Sequence, residues 1–321
     1  MVVCSTIACG HCSYCRVGYF AQCDNANPNG KLAGTAFFGG PESTGPFDGL
    51  QAERARIPYA NTTLVRLPHE VSDEQALPIS DIFPTGWFGA KLAEVSEGDT
   101  VAVFGCGPVG QFAIISAFLQ GASRVLAVDA IPDRLEAARS HTAEVIDFEA
   151  EDPVETIRRL TGGIGVDKAI DAVGVDATSP EGGPAASSDH DEQSARELAA
   201  VASETNPQGE TFVPGDAPSQ ALRWAVDALA KAGTLAIIGV YSPELQSFPI
   251  GQAFNKNLTL RMGNCNHRRY VPELVELVRT GAVDPSTALT NIEGVTDAIS
   301  AYRAFDERQP GWLKVELEPT A

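Results

Sequence analysis

Residues 99–129 constrain this chain more than any other stretch. Val101 to Phe104 is a short apolar run, the pattern of a buried strand. Gly105, Gly107 and Gly110 follow at G-x-G-x-x-G spacing, with Pro108 and Val109 between the last two. Gln111 to Leu119 is apolar enough for a helix packed on a sheet, Gly121 stops it, and Arg124 to Val128 is a second apolar strand ending at Asp129. A glycine-rich turn in some other α/β protein would lack this strand–turn–helix–strand context, which a dinucleotide-binding loop requires. Gly105 permits the tight turn, Gly107 lets a pyrophosphate approach the backbone, and Gly110 lets helix and strand pack closely. Free N–H groups around Pro108 to Gly110 face the phosphates with the helix dipole behind them. Asp129, about 20 residues further on, accepts from ribose hydroxyls and repels a 2′-phosphate, so NAD is expected over NADP.

The cysteines make the second constraint. Cys9, Cys12, Cys15 and Cys23 share one short loop. In a chain without a secretory signal, such spacing points to metal rather than disulfides. Four thiolates close a tetrahedral zinc shell with no open position, which makes the site structural. His11, between two ligands, is expected to face solvent, and Cys4 to fill a strand as a small buried hydrophobe.

The net charge of −19 argues against nucleic acid and against an anionic membrane surface as partners. No apolar run is long enough to span a membrane. With no basic and apolar leader at the N-terminus, a cytoplasmic protein is expected.

Along the chain, residues 1–8 read as a strand that begins abruptly, residues 24–50 as an irregular loop, and Ala52–Pro58 and Leu64–Leu67 as short strands. Ser72 and Gln75 suit a capping box. His69-Glu70 has no second metal ligand nearby and reads as linker. Pro84 suits the first turn of a helix running to Val95, and Asp81 just before it reads, from spacing alone, as an N-cap. Strands at Glu144–Ile146, Lys168–Val173, Thr234–Val240 and Leu258–Met262 bring the total to six. They alternate with helices at Pro132–Ser140, Pro153–Leu160 and Ala221–Lys231. That alternation predicts a doubly wound parallel sheet. Residues 175–219, rich in Gly, Pro, Ser, Ala and acid, read as a mobile acidic insertion with one short helix at Gln193–Ser203. Helices at Val271–Thr280 and Val295–Phe305 and a strand at Trp312–Leu317 close the chain. In the polar loop from Asn264, Cys265 and His267 read as structural, and an arginine such as Arg268 is expected to meet the cofactor pyrophosphate.

Together the four-Cys lobe, the Gly105–Gly110 loop and Asp129 resemble the zinc-dependent medium-chain alcohol dehydrogenases. The stretch Ser80-Asp81-Ile-Phe-Pro-Thr85-Gly86 is similar to the branch with glutathione-independent formaldehyde dehydrogenase and threonine-dehydrogenase-like relatives. The resemblance covers nearly the whole chain. It implies an α/β fold: a Rossmann domain over 81–265, a partial GroES-like β domain over 1–80, and a return to the latter over 266–321. It also implies that Asp81 is a ligand of a catalytic zinc, that Thr85 lies by the nicotinamide, that Arg134 lies near the adenosine ribose, and that the backbone at Val240 lines the nicotinamide. The family's other catalytic-zinc ligands, a Cys and a His, come from a part that precedes the zinc lobe. The expectation is therefore an N-terminally truncated chain with one catalytic-zinc ligand of its own. The implied activity is hydride transfer from a small alcohol or aldehyde hydrate to NAD, in a homo-oligomer (dimer or tetramer). The alternative is a non-catalytic protein that binds NAD and zinc.

Overall fold

A computed structural model describes residues 1–186, 191–202 and 215–319. The chain forms two compact units, residues 89–263 and residues 1–88 with 264–321. The division falls inside the helix Ile82–Ala93.

The unit of residues 89–263 is built on six strands: β1 (Thr100–Phe104), β2 (Arg124–Asp129), β3 (Glu144–Asp147), β4 (Val166–Asp171), β5 (Leu229–Ile237) and β6 (Thr259–Met262). All pairs are parallel, in the order β3-β2-β1-β4-β5-β6. This is the doubly wound dinucleotide-binding order, whose ligand crevice lies beyond the strand C-termini where the order reverses, between β1 and β4. The helices that cover the sheet include α1 (Pro108–Leu119), α2 (Pro132–Ser140), α3 (Pro153–Leu160) and α4 (Gln220–Ala228). The central strands β1 and β2 are apolar along most of their length because both faces are buried there. Val101, Val103, Val125 and Ala127 pack with Ala113, Ile114 and Ala117 of α1 and Leu135 of α2. Ala102, Phe104, Leu126 and Val128 pack on the opposite face with Ile157 of α3 and Ala221 and Leu222 of α4.

Proline at the first or second position starts α1, α2 and α3, where its missing N–H costs no intrahelical bond. The bounds of α2 and α3 are those expected from sequence. The helix expected to reach Lys231 stops at Ala228 instead. Lys256 Nζ donates to the carbonyls of Val226, Asp227 and Leu229 at 2.8–2.9 Å and closes that helix end. Leu229 then pairs with Val166, and a register shift precedes Lys168–Thr234.

The insertion also departs from expectation. Its ends are tied down: Gly215 N donates to Val175 O and Ala217 N to Ala177 O, both at 3.0 Å. The helix Asp191–Ala202 carries the buried Glu197, whose carboxylate accepts from Ser219 N at 3.2 Å and from Gln193 Nε2 at 2.7 Å, with Arg223 Nη1 3.8 Å away. A buried carboxylate with partners anchors a segment that composition alone describes as solvated. Residues 187–190 and 203–214, also within the expected insertion, lie outside the described residues.

The other unit is far less regular. Val2–Val3 pairs antiparallel with Leu64–Val65, and Asn291–Gly294 pairs in parallel with Val315–Glu318. The strand expected at Ala52–Pro58 does not form; its residues are mostly exposed and meet no partner edge. The capping box at Ser72 and Gln75 is present in full. The helix α5 (His267–Arg279) buries Tyr270, Val271, Leu274 and Val275.

Candidate functional sites in the two units

The β1–α1 turn is built by its glycines. A Cβ at Gly110 would overlap the Gly105 carbonyl, so the helix can lie this close to the strand only with glycine there. Gly107 differs. It sits in extended backbone at φ −65°, and a Cβ there would meet nothing closer than the Arg134 guanidinium at 3.6 Å. The protein's own packing therefore does not demand glycine at 107; the open space beside it fits a ligand that approaches the backbone. Gly107 is the N-cap of α1 and makes no side-chain cap, so the first N–H groups of that helix, including Val109 and Gly110, keep their capacity for an anion.

Asp129 ends β2 and is buried. Its Oδ2 accepts from Cys106 N at 2.7 Å, and its Oδ1 accepts from Ala130 N at 2.8 Å and Ile131 N at 2.9 Å. The carboxylate thus fixes the glycine loop to the tip of β2 and retains one further lone-pair site, on Oδ2, for a hydroxyl donor. Gln111 Nε2 ties the same region together by donating to Cys106 O at 2.7 Å and Arg134 O at 2.8 Å. Val240, beyond β5, has an exposed side chain, and its carbonyl accepts from Val175 N at 3.0 Å.

The other unit holds the cysteines. The Sγ atoms of Cys9, Cys12, Cys15 and Cys23 all lie within 4.8 Å of one another, with Cys12 and Cys23 at 4.0 Å. A tetrahedral shell with zinc–sulfur bonds of about 2.3 Å puts its sulfurs about 3.8 Å apart, so this donor set fits zinc. N–H groups point at the sulfurs: Cys12 N and Asn25 Nδ2 at 3.3 Å on Cys9, Cys15 N at 3.5 Å on Cys12, and Cys9 N at 3.3 Å on Cys23. Burial opposes a thiolate at Cys9, but donors from His11, Cys12 and Asn25 outweigh it and bring the thiol down to about 6. Burial pushes the Cys15 and Cys23 thiols up. His11 is exposed and Cys4 fully buried.

Asp81 is where the geometry adds most to the sequence. Its Oδ1 lies 2.9 Å from His267 Nε2. Thr85 Oγ1 donates to the Asp81 carbonyl at 2.8 Å and lies 3.4 Å from His267 Nε2. His267 Nδ1 is 3.2 Å from Thr6 Oγ1. Burial disfavours a charged His267, but nearby Cys265 and Asp81 outweigh it and raise the imidazole to about 10. Burial would raise the Asp81 carboxyl; His267, Ser5 and Lys314 prevail and lower it. Asp81 and His267 are 186 residues apart in sequence, and a lone His in a polar loop gives no signal of that contact. Among the described residues, the Cys quartet is the only set of three or more clustered metal donors. Asp81 and His267 are two, fewer than the three protein ligands of a catalytic zinc, so by themselves they do not form that shell. Arg268, expected from the polar loop at Asn264 to meet the pyrophosphate, occupies the first turn of α5 in this unit.

Residues 108–182 match the zinc-binding dehydrogenase family. Over 317 residues the chain is 36% identical to an uncharacterised zinc-type alcohol dehydrogenase-like protein of Bacillus subtilis, covering 98% of this chain and 77% of the relative. It is 33% identical over 315 residues to a glutathione-independent formaldehyde dehydrogenase of Pseudomonas aeruginosa, covering 95% and 73%. Among solved structures it resembles an alcohol dehydrogenase from Thermus sp. ATN1, with a TM-score of 0.76 at 30% identity, covering 98% of this chain and 78% of that one. Among the described residues, no helix is long and apolar enough to cross a membrane.

Proposed function

Since this chain belongs to the zinc-type alcohol dehydrogenase family, a family of oxidoreductases, we propose that it binds NAD at the β1–α1 turn, holds a structural zinc in its Cys lobe, and oxidises a small alcohol or aldehyde hydrate. The observation that carries the dinucleotide reading is Gly107: it is open, and it stands at the switch point of a β3-β2-β1-β4-β5-β6 sheet. Bound NAD supplies the hydride acceptor. The chain supplies binding and orientation. In the Gly105–Gly110 loop the N–H groups of Gly107, Val109 and Gly110 face the pyrophosphate, while those of Gly105 and Cys106 are held by Val128 O and Asp129, and Arg134 adds a cation beside that loop. Asp129 accepts from the adenosine ribose and disfavours a 2′-phosphate. Cys9, Cys12, Cys15 and Cys23 hold the zinc that orders their lobe. Asp81 offers a half-exposed carboxylate to a small polar substrate, with the buried His267 imidazole and the Thr85 hydroxyl beside it. Identity to a formaldehyde dehydrogenase supports a small substrate of that class.

The test is titration with NADH and NADPH followed by nicotinamide fluorescence, then reduction of NAD with short alcohols and formaldehyde. The expected result is NADH bound at least about tenfold more tightly than NADPH, a difference of about 1.4 kcal/mol. Failure to bind either dinucleotide overturns the reading. Binding without turnover of any such substrate favours a non-catalytic NAD-binding protein.

A further inference from the structure

The tips of β4 and β5 carry a polar lock that the sequence did not signal. β4 ends at Asp171, which is fully buried. Its Oδ2 accepts from the Tyr241 hydroxyl at 2.6 Å, and its Oδ1 accepts from Val173 N at 3.0 Å and Gly174 N at 3.3 Å. Its carbonyl accepts from Ile238 N at 3.0 Å and Gly239 N at 2.9 Å. Across the same gap Val175 N donates to Val240 O. The two loops meet backbone to backbone. A Cβ at Gly239 would overlap Gly174 N, and a Cβ at Gly174, which has φ +71°, would overlap the Val240 carbonyl. Yet Val240 between these contacts is 74% exposed. An exposed residue is thus held from both sides by a buried carboxylate and two glycines.

This arrangement costs free energy, because a carboxylate is taken out of water to make it. Burial pushes the Asp171 carboxyl up, against the donors from Tyr241, Val173 and Gly174. Such a cost is expected where a backbone must be held ready for something else. The place fits. The doubly wound sheet has two mononucleotide-binding halves. Asp129 at β2 marks the adenosine half, while β4 and β5 belong to the other.

We propose that the Tyr241–Asp171 pair is a positioning device for the nicotinamide half of the cofactor site, fixing the 173–175 and 239–241 loops before the dinucleotide arrives. The proposal rests on the NAD reading above. It gives Tyr241 and Asp171 a role in affinity for the nicotinamide half and none in affinity for the adenosine half.

The test compares two probes, NADH and ADP, on the whole chain. A hydroxyl donating to a carboxylate is a charged hydrogen bond, so Tyr241→Phe is expected to raise the Kd for NADH about tenfold. The Kd for ADP, which lacks the nicotinamide riboside, is expected to change less than about twofold. Asp171→Asn, which keeps the shape but cannot accept all three donors, is expected to give the same split and serves if Tyr241→Phe folds poorly. Equal weakening of both probes would reduce the pair to general structure and overturn the proposal, as would an unchanged NADH affinity. A wild-type chain that binds ADP but not NADH removes the nicotinamide role. One that binds neither removes the NAD reading itself, and the proposal with it.

Discussion

The two units are held together by different physics. Residues 89–263 form a sheet with apolar side chains on both faces, and its strands and helices bury large contiguous clusters. The lobe around Cys9 to Cys23 buries small ones, chiefly Ile7, Ala26 and Ala36, and Ala8 with the cysteines themselves. Its regular structure amounts to one four-residue helix and a 3₁₀ turn. One region is stabilised by area removed from water; the other gathers four thiols whose proposed zinc would complete it. Damage should therefore stay local in the lobe and spread in the sheet.

The largest effect that could break this comparison is loss of a zinc ligand. If the Cys lobe holds a structural zinc as proposed, Cys12→Ser is expected to take the zinc content from about one per chain to nearly none, because such a zinc supplies folding free energy to its lobe. The thermal transition of the lobe's unit should fall or vanish. The far-ultraviolet circular dichroism of the sheet unit should persist, since that sheet is stabilised by its own apolar clusters. A single transition lost as a whole would mean that the units do not differ as described. Chelation of the wild-type chain should reproduce the variant.

Two glycines three residues apart sharpen the comparison inside the sheet unit. Gly110→Ala forces a Cβ onto the Gly105 carbonyl and is expected to cost about 1–3 kcal/mol as well as dinucleotide binding. Gly107→Ala meets only Arg134 at contact distance, so stability should change by less than about 0.5 kcal/mol. Its NADH affinity should still fall about tenfold, as expected where a methyl group fills the approach to a pyrophosphate. Calorimetry and NADH titration on the pair separate packing from binding. A Gly107→Ala chain with unchanged affinity would detach the loop from the cofactor.

Asp129→Gly should have a mixed effect. It improves NADPH relative to NADH, and it also leaves the buried Cys106 N–H without its acceptor, for about 1–3 kcal/mol of stability. The structural part was not legible in the sequence, where Asp129 is only the acid at the expected distance.

That pattern holds across the molecule. Order along the chain was legible wherever local chemistry decides it. Pro132 and Pro153 start their helices, Ser72 caps with Gln75, and Val101–Phe104 reads as a buried strand. The four thiols were legible as a cluster because they are close in sequence. What remained hidden are contacts between distant residues and the ends of elements decided by them. His267 against Asp81, Tyr241 against Asp171, and Glu197 drawn into the core leave no periodicity to read. The end of α4 is hidden for the same reason, since Lys256 caps it from a later helix end. Ala52–Pro58 shows the converse: a stretch that could pair as a strand does so only if an edge is there to receive it.

The smallest predicted effect lies at the edge of the sheet. Arg124 at the start of β2 holds Glu144 at the start of β3 by two parallel bonds, Nε to Oε1 at 2.8 Å and Nη2 to Oε2 at 2.9 Å. Glu144 is 45% exposed, so solvent screens the pair and its contribution stays below about 1 kcal/mol. The Arg124 hydrogen bond lowers the Glu144 carboxyl from its usual range. A carboxyl lowered in the folded state adds stability that is fully present above the unfolded value, about 4.3, and is lost as pH falls through that value toward the folded one. Glu144→Gln should therefore destabilise the sheet unit slightly at neutral pH, less so in high salt, and not at all once the wild-type carboxyl is protonated. Urea melts across pH 3 to 7 read the difference directly. A destabilisation that persists at the acid end would belong to packing on β3 and not to the ion pair. It would also show that the sheet unit draws on burial even at its exposed edge.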